Sequence, residues 1–480
     1  MPFRSLRDFI QDLAAHNELR TIDGADSNVE IGALAEQLIH RRDTPTVLCD
    51  NIPDFPPGYR VLINSLNTPR QMAAALSFTG EIRTKRELIE AWRKYYGSHQ
   101  PVPPKWVHSA SVMERIDADG QVDLCKFPAP KWHEHDGGRY IGTGDLVIQK
   151  DPETGIVNVG TYRVQIHGKD LITVWPVAGK DGYLIREKYF ARGEPCPVIV
   201  SVGHAPDLFL VASSSVPFGR AELELAGGLR GEPVEIIAGE LTGLPIPAEA
   251  ELVLEGEWLP RGELMVKEGP FGEWPGYYAS GETDEPAVRV KRVYYRSDPI
   301  ILGMPPVRPP SYLQYEVQWA ARIWDELQTS GIPGIVAVNM LPAGGLRFWS
   351  VIAIRPLYAG HAKQVARIAA NSRTGGMMGR FTVVVDEDVN IFDTDEVLWA
   401  MATRCDPAED IEILKGCWSS PLDTMIPPEK RQCGDLTNSR AVIDATRPFV
   451  WRDRFPQVSA SSPEWREKVL TKWNDLFRNC

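Results

Sequence analysis

Two carboxylates, Glu268 and Glu273, stand five residues apart in Lys267-Glu268-Gly269-Pro270-Phe271-Gly272-Glu273-Trp274-Pro275-Gly276-Tyr277-Tyr278. The Gly-Pro-Phe-Gly between them is too rich in turn residues for a regular helix or a central strand, so the backbone bends. A bend lets both side chains turn toward one place. Two carboxylates in one low-dielectric site cannot both stay comfortably ionised, and the one that holds a proton near neutral pH is a general acid. Phe271, Trp274, Tyr277 and Tyr278 would supply apolar walls. The competing reading is a surface turn with solvated glutamates.

A second set of residues could serve that pair. Asn158-Val159-Gly160-Thr161-Tyr162-Arg163 places an amide and a guanidinium five residues apart. On a strand an odd offset sends them to opposite faces unless a bulge at Gly160 intervenes. An arginine near two glutamates would hold one of them as the anion and bind a substrate carboxylate through its fork of donors. Asp181 and Glu222 each open an expected helix, where an acid is usually a cap or a dipole partner. Their alternative is oxygen ligation of a hard divalent cation. Asp386-Glu387-Asp388 follows the apolar run Phe381–Val385 and could hold magnesium, although acids also commonly cap the loop after a buried strand. His133, Glu134, His135 and Asp136 resemble a metal cluster, but adjacent residues on an extended loop rarely converge on one ion.

The elements that must position these groups fall into three parts. Phe3, Leu6, Phe9, Ile10, Leu13 and Leu19 recur near helical spacing, and Ser5 with Asp8 forms a capping box, which predicts a helix over 3–21. A helix at 28–41, strands at 46–49 and 60–64, and a helix opening at Thr68-Pro69 complete a small α/β domain, residues 1–104. Pro101, Pro103 and Pro104 form its linker. Strands are expected at 145–149, 156–166, 171–175, 198–202, 233–238, 250–257, 287–295 and 299–303, with helices near 182–192, 206–213 and 221–229. This is a mainly β domain, 105–305. Leu313, Val317, Ala320, Ala321, Trp324 and Leu327 then give a helix an apolar face. Alternating strands and helices at 335–339, 347–354, 361–371, 381–386, 395–403 and 411–414 make an α/β domain, 306–480. Its last helix, 463–477, carries Trp465, Val469, Trp473 and Phe477 on one stripe, which docks either on the chain's own core or on a partner chain, the partner being the preferred reading.

The 480 residues carry a net charge of −12, with 43% hydrophobic and 24% charged residues. That balance fits a globular protein and argues against nucleic acid or an anionic membrane as partner, since neither has a basic stripe to meet. The N-terminus has no apolar signal region and no apolar run is long enough to span a bilayer, so a cytoplasmic protein is expected. Seven cysteines without a Cys-x-x-Cys pair read as reduced thiols rather than a zinc site.

In this order and at these spacings the motifs resemble the UbiD family of prenylated-flavin-dependent decarboxylases. The matching pieces are Asn158-x-x-x-x-Arg163, Glu268-Gly-Pro-Phe-Gly-Glu273, Val216-Pro217-Phe218-Gly219-Arg220-Ala221-Glu222, Leu225 to Gly231, Val383 to Val389 and Val397 to Arg404. The resemblance implies a small N-terminal α/β domain, a central split β-barrel that binds flavin, and a C-terminal α/β domain with an oligomerisation helix. It implies that Arg163, Glu268 and Glu273 are catalytic, with Glu273 the proton donor. Asn158 and Glu222 match ligands of a divalent metal, typically Mn2+, beside K+. Asp181 stands where the family usually has a histidine ligand, and Arg380 where it has a phosphate-contacting lysine. Thr161, Arg163, Ser213 and Ser214 fall among the flavin-binding positions.

The activity implied is reversible, non-oxidative decarboxylation of an aromatic, heteroaromatic or other α,β-unsaturated acid through a covalent adduct with prenylated FMN, which a UbiX-like prenyltransferase would supply. The segment Val216 to Arg220 looks closest to hydroxybenzoate-type members. A homo-oligomer, dimer or hexamer, is expected. Two other readings compete: an accessory subunit of a UbiD-like carboxylase complex, and a flavin oxidoreductase, for which no Gly-x-Gly-x-x-Gly follows a strand.

Overall fold

The computed structural model describes residues 2–41, 44–98, 100–118, 120–214, 216, 221–309, 311–345 and 347–477, the side chains of Ser98, Ala343 and Phe477 excepted. The first helix, Leu6–Ala15, starts as its sequence dictates. Ser5 Oγ accepts from the Asp8 N–H and the Asp8 carboxylate from the Ser5 N–H, each at 3.0 Å. It ends six residues before the expected 21, because Asn17 takes a left-handed φ of 59° and Leu19–Asp23 becomes a strand parallel to Thr46–Asp50. Long-range pairing overrides the helical period there. The N-terminal sheet runs in the order Leu19–Asp23, Thr46–Asp50, Arg60–Ile63, Ile300–Leu302. Its last strand thus returns from the far end of the central region and pairs parallel with Arg60–Ile63.

The central sheet explains how the site is assembled. Its path runs Tyr140–Gly142, Arg163–Ile166, Leu171–Trp175, Val288–Tyr295, Leu252–Trp258, Cys196–Val202, Asp145–Lys150, Val157–Gly160, with Arg115–Ala118 added beside Val288–Tyr295. The stretch expected as one strand over 156–166 is two strands, one at the end of this path and the other next to its opposite end, joined by only Thr161 and Tyr162. So short a link forces the sheet to curl until its ends nearly meet, a half-barrel. Asn158 and Arg163 therefore reach one interior without the bulge at Gly160 that a single strand would need.

The C-terminal sheet is mixed, in the order Ile335–Met340, Trp349–Ile354, Phe381–Asp386, Thr437–Ala445, Ile411–Trp418. The helix Leu313–Thr329 buries Val317, Ala320, Ala321, Trp324 and Leu327 against the core, as its apolar spacing predicts. At the end, Pro463–Lys472 and Asn474–Phe477 replace the single expected helix, and Trp465, Val469, Leu470 and Trp473 stay exposed. Among the described residues no helix is long and apolar enough to cross a membrane.

Candidate active site

The bend between the two glutamates is fixed by its neighbours. Glu268 ends the strand Met265–Glu268, which pairs with Thr283–Pro286. Gly269 then takes a φ of 81°, and a side chain there would run into the Gly281 carbonyl, 2.6 Å away. Four polar contacts hold the loop from Gly269 to Gly272: the Gly269 N–H donates to Gln165 Oε1 at 2.8 Å, the Gly272 N–H to Asp136 Oδ1 at 3.1 Å, and the Gly137 N–H and the Tyr140 hydroxyl to the Pro270 carbonyl at 2.7 and 3.4 Å. Gln165 lies two residues beyond Arg163 on the same strand, so one strand face sets both the bend and the guanidinium. Asp136, whose carboxylate also accepts from the His133 N–H at 2.9 Å, serves this loop rather than a metal.

Arg163 joins both acids. Its Nε and Nη2 donate to the two Glu268 oxygens at 2.8 and 2.6 Å, its Nη1 donates to Glu273, and its Nη2 also reaches Ser280 Oγ at 3.2 Å. The Trp175 ring, opposite Arg163 in the sheet register, lies 4.0 Å from the guanidinium carbon. Glu268 is wholly buried and Glu273 is 6% exposed, which excludes the solvated surface turn. Like charges do not face each other unscreened, because the cation bonds to both. The chemistry such a trio supports is narrow: a fork of donors beside one carboxylate that is locked and one that is reachable.

The reachable one is Glu273. It lines a cavity of about 440 Å³ that also takes in Asn158, Thr161, Arg163, Asp181, Ser213, Ser214 and Glu222, while Glu268 stands behind Arg163. Arg380 is apart from this group. It does not line the cavity, and its guanidinium pairs with the buried Asp423 and lies against the Phe348 ring. Besides Arg163, the cations that do line the cavity are Lys180, Arg322, Arg347 and Arg373. Sequence reasoning misses them, because Arg347 and Arg373 come from the C-terminal domain and nothing in their local pattern marks them; Lys180 could have been found by its place beside Asp181. Residues 217–220, which carry the hydroxybenzoate-like segment, lie outside the described residues.

Asp181 and Glu222 open the helices Asp181–Ala191 and Glu222–Arg230, yet neither caps its own helix; the cap positions are Lys180 and Ala221. Glu222 instead accepts from the Val159 N–H across on the strand, at 2.9 Å. Burial pushes the Glu222 carboxyl up to about 7; the Val159 N–H opposes this and the Asp181 charge adds to it. Burial draws Lys180 down to about 8, helped by Arg347. Between these residues stands Tyr162, whose hydroxyl accepts from the Gly182 N–H at 3.3 Å. A Cβ on Gly160 or on Gly182 would lie 2.7 Å from that hydroxyl, so both glycines make room for it. The buried Asn158 side chain lies beside the Tyr162 hydroxyl and, with Asp181 and Glu222, lines the cavity. An amide and two carboxylates are a hard oxygen set, so these residues fit a hard divalent cation.

The other acidic run carries no such site. Asp386 is wholly buried and pairs with Arg404 at 2.8 Å, Arg447 at 3.1 Å and Arg452 at 3.3 Å. Three arginines neutralise it, which accounts for its burial without a metal.

The chain matches three domains of 3-octaprenyl-4-hydroxybenzoate carboxy-lyase: the N-terminal domain over residues 10–92, the Rift-related domain over 105–309 and the C-terminal domain over 315–445. A phenolic acid decarboxylase of Sedimentibacter hydroxybenzoicus is 29% identical, with 99% of this chain and 98% of that protein covered. The open form of vanillic acid decarboxylase from the same organism superposes with a TM-score of 0.84 at 27% identity, covering 100% of both chains. The UbiD-class enzyme HmfF from Pelotomaculum thermopropionicum, in complex with FMN, gives 0.84 at 28% identity over 98% of this chain and 100% of its own. An evolved dimeric form of HmfF in complex with prFMN gives 0.82 at 27%, with the same coverage. The α/β architecture of three parts built around a curled central sheet is the one these enzymes share. By family match and by fold, this chain belongs to the UbiD family of carboxy-lyases.

Proposed function

We propose that the protein decarboxylates an aromatic acid, reversibly and without net oxidation, using prenylated FMN held in the 440 Å³ cavity. The observation that carries this reading is Arg163, bonded at once to the buried Glu268 and to Glu273 on the cavity wall. Relatives that act on phenolic and vanillic acids, and one solved with prFMN, support it. When bound, prenylated flavin supplies the electron sink that loss of carbon dioxide requires. The chain does the rest. Arg163, held rigid by Glu268 and Trp175, orients the substrate carboxylate through the Nη1 N–H that Glu273 does not take. Glu273 delivers a proton to the ring carbon that carried the carboxylate, and takes it back in the carboxylation direction. Phe271, Trp274 and Trp175 keep water from that carbon.

Asn158, Glu222 and Asp181 would hold Mn2+, and K+ is the second ion of this reading. Asp181 brings a negative charge where a histidine would be neutral, and the Lys180, Arg347 and Arg373 cations offset that charge for a phosphate bound nearby. A UbiX-like prenyltransferase would supply the cofactor, and the exposed apolar face of Pro463–Lys472 supports a homo-oligomer.

Production with and without a flavin prenyltransferase, followed by the absorption spectrum and mass of the bound chromophore, tests the reading. The expected result is prenylated FMN retained only with the prenyltransferase, and carbon dioxide released from a hydroxybenzoic acid by that sample alone. A protein that holds no flavin under either condition contradicts it and favours the accessory-subunit alternative.

A further inference from the structure

Two buried donors at the start of the helix Leu313–Thr329 have nothing to bond to among the described residues. Tyr312 is 7% exposed and Gln314 is 1% exposed, and both line the cavity. The Tyr312 hydroxyl and Gln314 Nε2 have no hydrogen-bond partner there. Two neighbours on the same turns have partners for their donor or carboxylate, although Gln318 Oε1 has none among the described residues. Gln318 Nε2 donates to the Leu210 carbonyl at 2.9 Å, and Glu316 pairs with Lys85. Buried polar atoms are almost always satisfied, so a pair left open on a cavity wall marks where a ligand atom sits.

Their position indicates which ligand. Tyr312 packs with Val307 and Ile39 in a cluster that Trp274 and Met304 join, and Trp274 directly follows Glu273. Tyr312 therefore stands on the side of the proton donor, and Gln314 lines the same cavity from the first turn of the helix, whereas Asn158, Asp181 and Glu222 belong to the strand Val157–Gly160 and the two helices that face it. Burial keeps the Tyr312 hydroxyl protonated, so it can donate. A phenolic oxygen on a substrate ring has the lone pairs to accept from such donors.

We propose that Tyr312 and Gln314 recognise a hydroxyl oxygen on the substrate ring, and so make the site selective for phenolic acids over unsubstituted benzoic acid. This rests on the decarboxylase reading for the identity of the substrate, but its test does not rest on turnover. Calorimetric binding of 3-hydroxybenzoate, 4-hydroxybenzoate and benzoate is measured on the flavin-loaded protein, and on Tyr312→Phe and Gln314→Leu. The wild type is expected to bind one of the hydroxybenzoates at least about tenfold tighter than benzoate. Each substitution should move that ratio toward one by weakening the hydroxybenzoate, with benzoate changed by less than about twofold and the flavin retained. A wild-type ratio near one overturns the proposal. So does an equal loss for all three acids, or release of flavin by the variants, which would assign the two donors to the cofactor. Carbon dioxide release from the same samples separates the two readings: selective binding without turnover contradicts the decarboxylase reading alone, and turnover without selectivity contradicts this one alone.

Discussion

A guanidinium that bonds to two carboxylates decides which of them can meet a substrate. Glu268 takes Nε and Nη2 together and is sealed off, while Glu273 touches Nη1 and remains on the cavity wall. Removing the cation leaves two buried acids without that partner. Arg163→Ala should therefore lower the unfolding free energy by about 3–5 kcal/mol, as breaking a buried ion pair does, and abolish turnover; denaturant unfolding that matches the wild type would show that Arg163 is not the partner both acids need. Asp181 makes a different prediction. If its carboxylate ligates the cation, Asp181→Ala should strip Mn2+ and flavin from the purified protein with the fold intact, read by metal analysis and flavin absorbance. Full retention of both would leave Asp181 as a residue that only opens its helix.

At the scale of elements, the site depends on backbones passing closely. Gly137 lies against the carbonyl of Gly269 so tightly that an added Cβ would collide with it. Gly137→Ala should shift the bend that presents Glu273 and cost at least about 1–3 kcal/mol, the range for overpacking, seen as a lower thermal midpoint; an unchanged midpoint would contradict the contact. Much of this architecture is legible in the sequence. The capping box at Ser5, the proline start at Pro69 and the apolar face of Leu313–Thr329 fall where their spacing puts them, because each is a local signal. The break at Thr161-Tyr162 is not legible, since β-branched and apolar residues run through 156–166 and only the closure of the sheet splits them. The strand Thr437–Ala445 escapes a sequence reading for a related reason: it is buried between Phe381–Asp386 and Ile411–Trp418, and its polar start hides what its neighbours make of it. Arg163, Glu268 and Glu273 can be singled out from motif and chemistry. Lys180, Arg347 and Arg373 come together only after folding, because residues far apart in the chain meet there.

At the scale of the whole molecule, no single part owns the cavity. The central sheet brings Asn158 and Arg163, the bend brings Glu273, and the C-terminal part brings Arg347, Arg373 and the Tyr312–Gln314 pair. The strand Ile300–Leu302 ties the N-terminal sheet to the segment leading into that last part. The exposed Trp465, Val469, Leu470 and Trp473 form an apolar surface at the far end of the chain. If this surface joins copies of the chain, removal of residues 460–480 should give a smaller species by light scattering while the flavin stays bound; an unchanged oligomeric state would assign that surface no part in assembly.

The central claim is that Glu273, held by Arg163 on the wall of a flavin-filled cavity, gives the proton that replaces carbon dioxide. The most direct measurement is carbon dioxide release from hydroxybenzoic acids by wild type and Glu273→Gln, each produced with a flavin prenyltransferase and each shown by mass to carry the prenylated flavin. The account predicts turnover by the wild type and a loss of at least about 100-fold in the variant, the scale of a general acid removed. Equal turnover by two fully loaded proteins would contradict it.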